Sequence, residues 1–441
     1  MHDNQVNTTL KQLYVDPILT FNDKAQILHY VLEDLHSYII SNIKIFADEN
    51  FHHILHDWLL EKTLIGFENI HSFLLEEEII DVINEAEKIY FLTMVPRRSY
   101  RHLCKPMTAV KINAREVQIN ILRNKPQPEQ RTPEWYEFRN NLITASSAWK
   151  TFGSQAVQNS LIYEKCRPVI HEKQMNCNTE SPLHWGQKYE PLSVMLYENK
   201  FKTKVEDFGC IRDDNFHFIG ASPDGINVDK TSHLYGRMLE IKNIVNRDIT
   251  GIPKKEYWIQ MQLQMSVCKL NECDFLETRF NEYENYNDFI EDSIESTMLL
   301  TKKGKPKGWF MCFSKNQQPF YVYPPLNLEF DQLEQWEETQ HQIQPYTWIR
   351  NLYWCLDELS CVLVCRNKPW FNYAVQEIGS LWKIIEYERI HGYEHRAPTR
   401  KRKTTEILKN DSSPSKSESN SNYSKLKNKC LIDIKVTKLM N

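Results

Sequence analysis

The feature that most constrains the fold is a Pro-Asp turn followed at short distance by an acidic-x-Lys triplet. Residues 222–225 read Ser-Pro-Asp-Gly, a turn sequence that leads Asp224 into a strand. Successive side chains of a strand alternate between its faces, so Glu240 and Lys242 point the same way and Ile241 points into the core. If the two strands pair, two carboxylates and one amine converge at one end of a sheet.

This combination of groups suits phosphodiester hydrolysis. Mg²⁺ is typically held by one or two carboxylates together with waters and a substrate phosphate, so Asp224 and Glu240 are predicted metal ligands. Lys242 would orient or deprotonate the attacking water, or stabilise the charge of the transition state. If Lys242 acts as a base, activity should rise towards alkaline pH.

The alternative interpretation of Glu240-Ile-Lys242 is a surface ion pair. The same triplet pattern occurs at Glu198-Asn-Lys200 and at Asp433-Ile-Lys435. Neither of these copies follows a Pro-Asp turn, and the turn at a suitable distance is what favours a catalytic site at Glu240.

Composition places the chain among globular proteins inside a cell. Its 441 residues are 41% hydrophobic and 12% aromatic, enough for two or three domains at about 150 residues each. Eleven cysteines without paired spacing indicate reduced thiols, and no apolar run approaches a membrane span. The net charge of −4 combines a basic end, with 12 Lys and Arg against 4 Asp and Glu after Glu394, and an acidic remainder. DNA contact would therefore need a local basic groove.

Periodicity and composition divide the chain into four segments. Apolar residues three and four apart predict a helical N-terminal region, and prolines mark a linker. In the α/β region the helical spacing occurs together with the two-residue alternation of strands. A Ser/Lys/Asn-rich tail is predicted to be disordered, and its cluster at 400–403 resembles a nuclear localisation patch. The segments are 1–105 (helical), 106–133 (linker), 134–393 (α/β domain) and 394–441 (basic tail).

The α/β domain is predicted to contain a central mixed sheet flanked by helices. The predicted helices cover 134–151, 183–200 and 254–269. The predicted strands cover 204–212, 216–220, 237–243, 273–280, 308–314 and 319–323.

Three further segments carry a family resemblance. Residues 133–146 (Pro-Glu-Trp-Tyr-Glu-Phe-Arg-Asn-Asn-Leu-Ile-Thr-Ala-Ser), the Gly-x-x-x-Glu segment 185–191 and the Tyr-x-x-Gln-x-Gln segment 257–265 accompany the Glu-x-Lys strand. In order and spacing they resemble the lambda-type exonuclease and YqaJ-like viral recombinase family of PD-(D/E)XK nucleases, over roughly 131–281. The resemblance implies a restriction-endonuclease-like core and makes 134–393 a nuclease domain. Chain length, the helical N-terminal region and the basic tail favour the baculovirus-type alkaline nuclease branch.

The resemblance also implies roles for individual residues. Arg139 and Ser146 match residues that hold a 5′ phosphate. Glu190 matches an acidic residue of the site that is a further metal ligand. Gln260 matches a residue that positions water or phosphate. The backbone carbonyl of Ile241 matches a third metal ligand.

Each of these residues also has an ordinary structural interpretation. Arg139 would form a surface salt bridge, Ser146 would cap a helix, and Glu190 would be a solvated helix residue. Gln260 and Gln264 would line a polar helix face. The occurrence of all four matches in register favours the functional interpretation.

The resulting hypothesis is a Mg²⁺-dependent deoxyribonuclease, with Mn²⁺ as a substitute. It would be a 5′-to-3′ exonuclease on linear duplex DNA that serves viral recombination or DNA processing. The alternatives are an endonuclease of the same fold and a catalytically idle DNA-binding scaffold. The expected partners are duplex DNA with free ends, a single-strand-binding or annealing protein and further copies of the chain, without a membrane. The expected location is the nucleus of an infected host cell.

Overall fold

The computed structural model describes residues 17–43, 45–48, 50–67, 73–99, 107–130, 132–169, 178–179 and 181–397. These residues form two compact units, which divide between Arg98 and Ser99. Most of the predicted basic tail, including the cluster at 400–403, lies outside the described residues.

The first unit is helical, as predicted. Its elements are α1 (Phe21–Ser41), a 3₁₀ turn (Ile45–Ala47), α2 (Phe51–Ile65), α3 (Phe73–Thr93) and the short strand β1 (Arg97–Arg98). A reciprocal capping box between Thr20 and Asp23 starts α1. The buried residues of α1 are Ile27, Val31, Leu35 and Ile39. Their spacing of four places them on one face of the helix, so burial of that face explains why the segment is helical.

The second unit contains both helices and strands. Its helices are α4 (Ala109–Arg123), α5 (Pro133–Asn140), α6 (Ala145–Ala148), α7 (Gln155–Cys166), α8 (Pro182–Phe201), α9 (Lys255–Val267), α10 (Tyr286–Glu291), α11 (Phe330–Ile343) and α12 (Lys368–His391), with 3₁₀ turns Trp149–Phe152 and Glu394–Arg396. Its strands are β2 (Ile143–Thr144), β3 (Val205–Glu206), β4 (Ile211–Arg212), β5 (Ile219–Ala221), β6 (Gly225–Asn227), β7 (Met238–Asn243), β8 (Glu272–Glu282), β9 (Lys307–Lys315), β10 (Gln318–Val322) and β11 (Thr347–Cys365).

The main sheet of this unit is mixed. Its strands run in the order β10-β9-β11-β8-β7-β6-β3, and a second small sheet has the order β2-β5-β4. The pair β7–β8 is parallel and is connected through α9, whereas β6–β7 and β8–β11 are antiparallel. The predicted α/β core, a mixed sheet flanked by helices with a helical region before it, is therefore confirmed.

The centre of the sheet explains the sequence of β7. The four residues from Met238 to Ile241 are all buried, which identifies a strand covered on both faces. Ile241 packs with Tyr197 of α8 and Leu276 of β8. The opposite face of β7 is therefore the one that carries Glu240.

Two predictions about secondary structure are wrong. The segment 106–133, predicted as a linker, contains the 15-residue helix α4, capped by Thr108 and anchored by the buried Ile119 and Leu122. The predicted helix 134–151 breaks into α5, β2 and α6, because Leu142 and Ile143 are fully buried and β2 pairs with β5. No proline within residues 134–151 marks the two points at which this predicted helix is interrupted.

The sequence also did not reveal the longest strand. β11, with 19 residues, lies between β9 and β8 in the sheet. None of the helices in the described part of the chain is long and apolar enough to cross a membrane.

Candidate active site

Asp224 occupies the turn between β5 and β6. Its Oδ2 accepts a hydrogen bond of 2.7 Å from the backbone N–H of Ile241, and Gly225 pairs with Leu239 in the antiparallel register. A Cβ at Gly225 would lie 2.1 Å from Cγ1 of Val205, so only glycine permits this close approach. The Pro-Asp-Gly turn thus holds Asp224 against the strand that carries Glu240, as the sequence predicts.

Glu240 is completely buried beneath α9. Gln260 donates to its Oε1 at 2.7 Å, and Gln264 donates to its Oε2 at 2.6 Å. Lys242 also donates to Oε1, which brings the predicted Glu240, Lys242 and Gln260 together. Hydrogen bonds to an ionised carboxylate are stronger than those between neutral groups, so these three donors hold the Glu240 carboxylate in place.

Gln264 is a member of this cluster that the sequence analysis did not select. Its Nε2 also donates to the backbone carbonyl of Ser222 at 3.0 Å, so it joins the Glu240 carboxylate to the turn before Asp224. The four-residue spacing from Gln260 places both amides on one face of α9 and was the available signal. Gln262 serves another purpose: its amide bonds the Cys365 carbonyl and the Asn367 N–H, which secures the start of α12.

The charges of the cluster perturb one another. Burial, the Glu240 carboxylate and the charge of Glu190 raise the pKa of Asp224 well above its ordinary range, although Lys242 opposes this. For Lys242, burial favours the neutral amine, but the Glu240 and Asp224 carboxylates outweigh it and raise the pKa above that of a free lysine. These charges therefore favour the ammonium form of Lys242. Its Nζ lies 5.2 Å from the ring centroid of Tyr257.

Glu190 lies on α8 and is exposed. One turn earlier on this helix, Asn243 at the end of β7 donates to the Gly186 carbonyl at 2.9 Å, which ties α8 to β7. The structure thus places Glu190 within electrostatic range of Asp224.

Arg139, in the last turn of α5, is joined to the same region. Its guanidinium donates to Oγ of Ser222 at 3.3 Å and lies 4.5 Å from the ring centroid of Trp135. Ser222 stands two residues before Asp224, so one short turn connects the predicted phosphate-binding arginine to the acidic cluster. The sequence analysis quoted Ser222 only as part of the turn.

Ser146 is exposed near the start of α6, and its Oγ lies 3.3 Å from Oγ1 of Thr144. The N-cap position of α6 belongs to Thr144, so the alternative interpretation of Ser146 as the helix cap is wrong. Thr144 pairs with Gly220 of β5, which places the start of α6 beside the strand that leads to Ser222.

The donor set is suited to a hard divalent cation. Asp224 and Glu240 supply carboxylate oxygens, and their mutual repulsion would be relieved by positive charge. In addition, Oε1 of Gln264 is buried without a hydrogen-bond partner among the described residues, as expected beside bound water. Within the described ranges no three His, Cys, Asp or Glu side chains are grouped closely enough to form an all-side-chain metal site. Backbone carbonyl, water or phosphate oxygens would have to complete the coordination.

Comparison with known proteins identifies the class of this domain. Residues 134–271 match the profile of the YqaJ-like viral recombinase domain, and this segment includes the acidic cluster and Arg139. Residues 134–271 are therefore similar to a YqaJ-like viral recombinase domain, whereas assignment to the baculovirus-type branch stays a prediction.

Individual relatives cover more of the chain. It is 27% identical over 315 residues to an uncharacterized protein of Acanthamoeba polyphaga mimivirus, a match that covers 63% of this chain and 56% of that relative. The chain thus spans little more than half of the curated relative's length.

Two solved structures are also similar. An alkaline exonuclease (LHK-Exo) from Laribacter hongkongensis aligns with 18% identity over 60% of this chain and 97% of its own, with a TM-score of 0.35. A phage-related exonuclease from Haemophilus somnus aligns with 12% identity over 59% of this chain and 100% of its own, with a TM-score of 0.29.

Proposed function

We propose that this protein is a metal-dependent deoxyribonuclease that removes nucleotides from the 5′ ends of linear duplex DNA, in viral DNA recombination or processing. The observation that carries the proposal is the turn at 222–224, which joins a phosphate-binding group and a hydrolytic group. Ser222 accepts from Arg139, and Asp224 lies against the strand of Glu240 and Lys242. The match of residues 134–271 to the YqaJ-like viral recombinase domain supports a role in DNA recombination.

The cation would be held by Asp224, Glu240 and the Ile241 carbonyl. Glu190 was predicted as a further ligand, but it is not grouped closely enough with the two carboxylates and would act through its charge or a bound water. Bound Mg²⁺, or Mn²⁺ in its place, would supply Lewis-acid polarisation of the phosphate and a more acidic bound water. Gln260 and Gln264 keep the Glu240 carboxylate oriented, because each donates to a different oxygen.

Lys242 would act through its charge. Its raised pKa supports stabilisation of the phosphate in the transition state rather than removal of a proton from water. A positive group held by the Glu240 carboxylate is already oriented, so little reorganisation accompanies the reaction.

Arg139 would bind the terminal phosphate. Its planar guanidinium suits a phosphate oxygen pair, and the Ser222 and Ser146 hydroxyls are available as additional donors. If water attacks phosphorus and the bond to O3′ breaks, the released nucleotide takes the O3′ hydroxyl and the shortened strand keeps a 5′ phosphate. Each cut would then regenerate the group that Arg139 binds.

The test is digestion of labelled linear duplex DNA that carries either a 5′ phosphate or a 5′ hydroxyl, compared with closed circular DNA. We expect Mg²⁺- or Mn²⁺-dependent release of mononucleotides, faster from the phosphorylated end, and binding without cleavage in Ca²⁺. Equal cutting of closed circles would favour the endonuclease alternative, and cleavage in EDTA would contradict the metal mechanism. The absence of cleavage with any metal would favour a DNA-binding scaffold.

A further inference from the structure

The C-terminal turn of α5, which carries Arg139, is held by a buried lysine from another helix. Lys165, in the last turn of α7, is only 5% exposed, and its Nζ donates to the backbone carbonyl of Arg139 at 2.9 Å. This carbonyl also accepts from the N–H of Leu142. The backbone at Arg139 is thus fixed from two sides.

A second cation, from α12, holds the same corner. The guanidinium of Arg389 donates to the Asn140 carbonyl at 2.8 Å and to Oδ1 of Asn141 at 3.0 Å. It also donates twice to the Lys165 carbonyl, at 3.0 and 2.7 Å. Arg389 therefore satisfies carbonyls at the C-terminal ends of α5 and α7 together, where the helix dipoles favour positive charge.

Positive charge at this corner is only partly neutralised, because Lys150 pairs with Glu164 at 2.7 Å but Lys165 has no such partner among the described residues. Nζ of Lys165 has no carboxylate within ion-pair distance in the described part of the chain; only the charge of the exposed Glu164 acts in its favour. Burial, Arg139, Lys150 and Arg389 lower the pKa of Lys165 to about 8. Burial is the main cause of this shift, and repulsion among the cations adds to it. An anion bound by the Arg139 guanidinium would offset part of that repulsion.

Apolar burial contributes to the docking of α12 independently of Arg389. Eight residues of that helix are buried, among them Phe371, Ile378 and Ile385. The guanidinium itself lies 5.2 Å from the ring centroid of Trp382. Apolar burial therefore holds the helix, and the polar end of Arg389 is directed at the α5 corner.

We propose that Lys165 and Arg389 are positioning residues of the 5′-phosphate site, which fix the last turn of α5 so that the Arg139 guanidinium stays beside Ser222. This inference rests on the proposed function. It brings α12, which lies beyond the matched segment 134–271, into recognition of the DNA end. The ligand that this arrangement serves is a terminal phosphate monoester of DNA.

The experiment measures KM and kcat of the full chain on linear duplexes that differ only in a 5′ phosphate or a 5′ hydroxyl. The variants are Arg389→Gln, Arg389→Lys and Lys165→Met. The matched control is Lys383→Gln, because Lys383 is an exposed residue of α12 with no contact to the corner. Thermal melting of each variant measures any general loss of stability.

For Arg389→Gln and Lys165→Met we expect KM on the phosphorylated duplex to rise about tenfold, as for loss of an oriented charged contact, while kcat changes less than about twofold. Kinetics on the hydroxyl duplex should remain close to those of the wild type, so the preference for the phosphorylated end falls about tenfold. Arg389→Lys, which keeps the charge but not the fork, should lose an intermediate amount.

An unchanged preference in both Arg389→Gln and Lys165→Met would overturn the inference, as would an equal loss on both duplexes, which is the result of a purely structural role. A wild-type enzyme that cleaves both duplexes equally well would instead overturn the proposed end recognition itself. The two failures are therefore distinguishable within one experiment.

Discussion

The acidic cluster and the arginine site differ in how the chain builds them. The acidic cluster comes from one stretch, in which a turn, a strand and a helix between Ser222 and Gln264 meet directly. The arginine site combines α5 with Ser222 and with the C-terminal ends of α7 and α12. The residue from α12 lies more than 200 residues beyond α5 in the chain. A site of the first kind can be recognised from its sequence, whereas one of the second kind is visible only in the folded protein.

The two sites also hold unbalanced charge of opposite sign. Burial and then the Glu240 carboxylate raise the pKa of Asp224, and burial and then neighbouring cations lower the pKa of Lys165. In each case the folded protein disfavours the charged form of its own residue. A cation would relieve the first imbalance and a phosphate would relieve the second, so the comparison predicts different consequences for substitutions in the two sites.

The largest effect is expected in the acidic cluster. Asp224→Asn and Glu240→Gln should each lower the cleavage rate by about 10³-fold or more, because both would remove carboxylate ligands of the cation. The loss should be equal on phosphorylated and hydroxyl ends, measured by single-turnover digestion, with DNA binding retained. Glu338→Gln, at an exposed position of α11, is the control. Residual cleavage above a tenth of the wild-type rate would exclude these carboxylates from the reaction.

A smaller effect concerns stability at the arginine site. The folded pKa of Lys165, about 8, lies below the ordinary value of 10.5. Between these two pH values the unfolded chain binds a proton that the folded chain lacks, so this residue makes the free energy of unfolding increase with pH. The increase is on the order of 3 kcal/mol for complete titration.

Urea unfolding of the wild type and of Lys165→Met at several pH values from 7.5 to 10.5 measures this contribution. The difference between the two proteins should change in favour of the wild type as pH rises. Parallel pH profiles would mean that Lys165 keeps its ordinary pKa in the folded protein. The arginine site would then not disfavour the charged form of Lys165, and the comparison with the acidic cluster would fail.

Gln264 tests whether the acidic cluster depends on its amide support. Gln264→Leu removes the donor to Glu240 and the link to the Ser222 carbonyl, so kcat should fall about 10–100-fold, as for other groups that orient a metal ligand. Gln262→Leu is an informative comparison, because the Gln262 amide bonds the Cys365 carbonyl and the Asn367 N–H rather than Glu240. We expect this variant to melt at a lower temperature and to keep a kcat close to that of the wild type. If Gln262→Leu lowered kcat more than Gln264→Leu did, Gln264 would not be the residue that orients Glu240.

What the sequence predicted follows from the range of the interactions involved. Side-chain alternation placed Glu240 and Lys242 on one face, and the Pro-Asp-Gly turn placed Asp224, because both effects are local. Ser222 and Gln264 were not selected, since their roles depend on one contact across the turn and one across the sheet. The roles assigned to Glu190, Gln260, Arg139 and Ser146 came from family resemblance and remain predictions.

The larger errors have the same origin. The sequence analysis assigned no strand to residues 347–365, but pairing with β8 and β9 makes β11 a central strand. The helix α4 was assigned to a linker because prolines flank it. In both cases tertiary burial outweighed the local pattern.

The smallest expected effect concerns the ring that supports Arg139. Trp135 lies one turn before Arg139 on α5, and the guanidinium is 4.5 Å from its ring centroid. An exposed cation–π contact contributes about 0.5–1 kcal/mol, so Trp135→Leu should raise KM for the phosphorylated duplex about two- to fivefold and leave kcat unchanged. Tyr373→Leu, at an exposed position of α12, is the control, because Tyr136 itself contacts the Trp135 ring. A tenfold or larger change in KM would place Trp135 in direct contact with DNA, and a fall in kcat without a change in KM would link it to the acidic cluster instead.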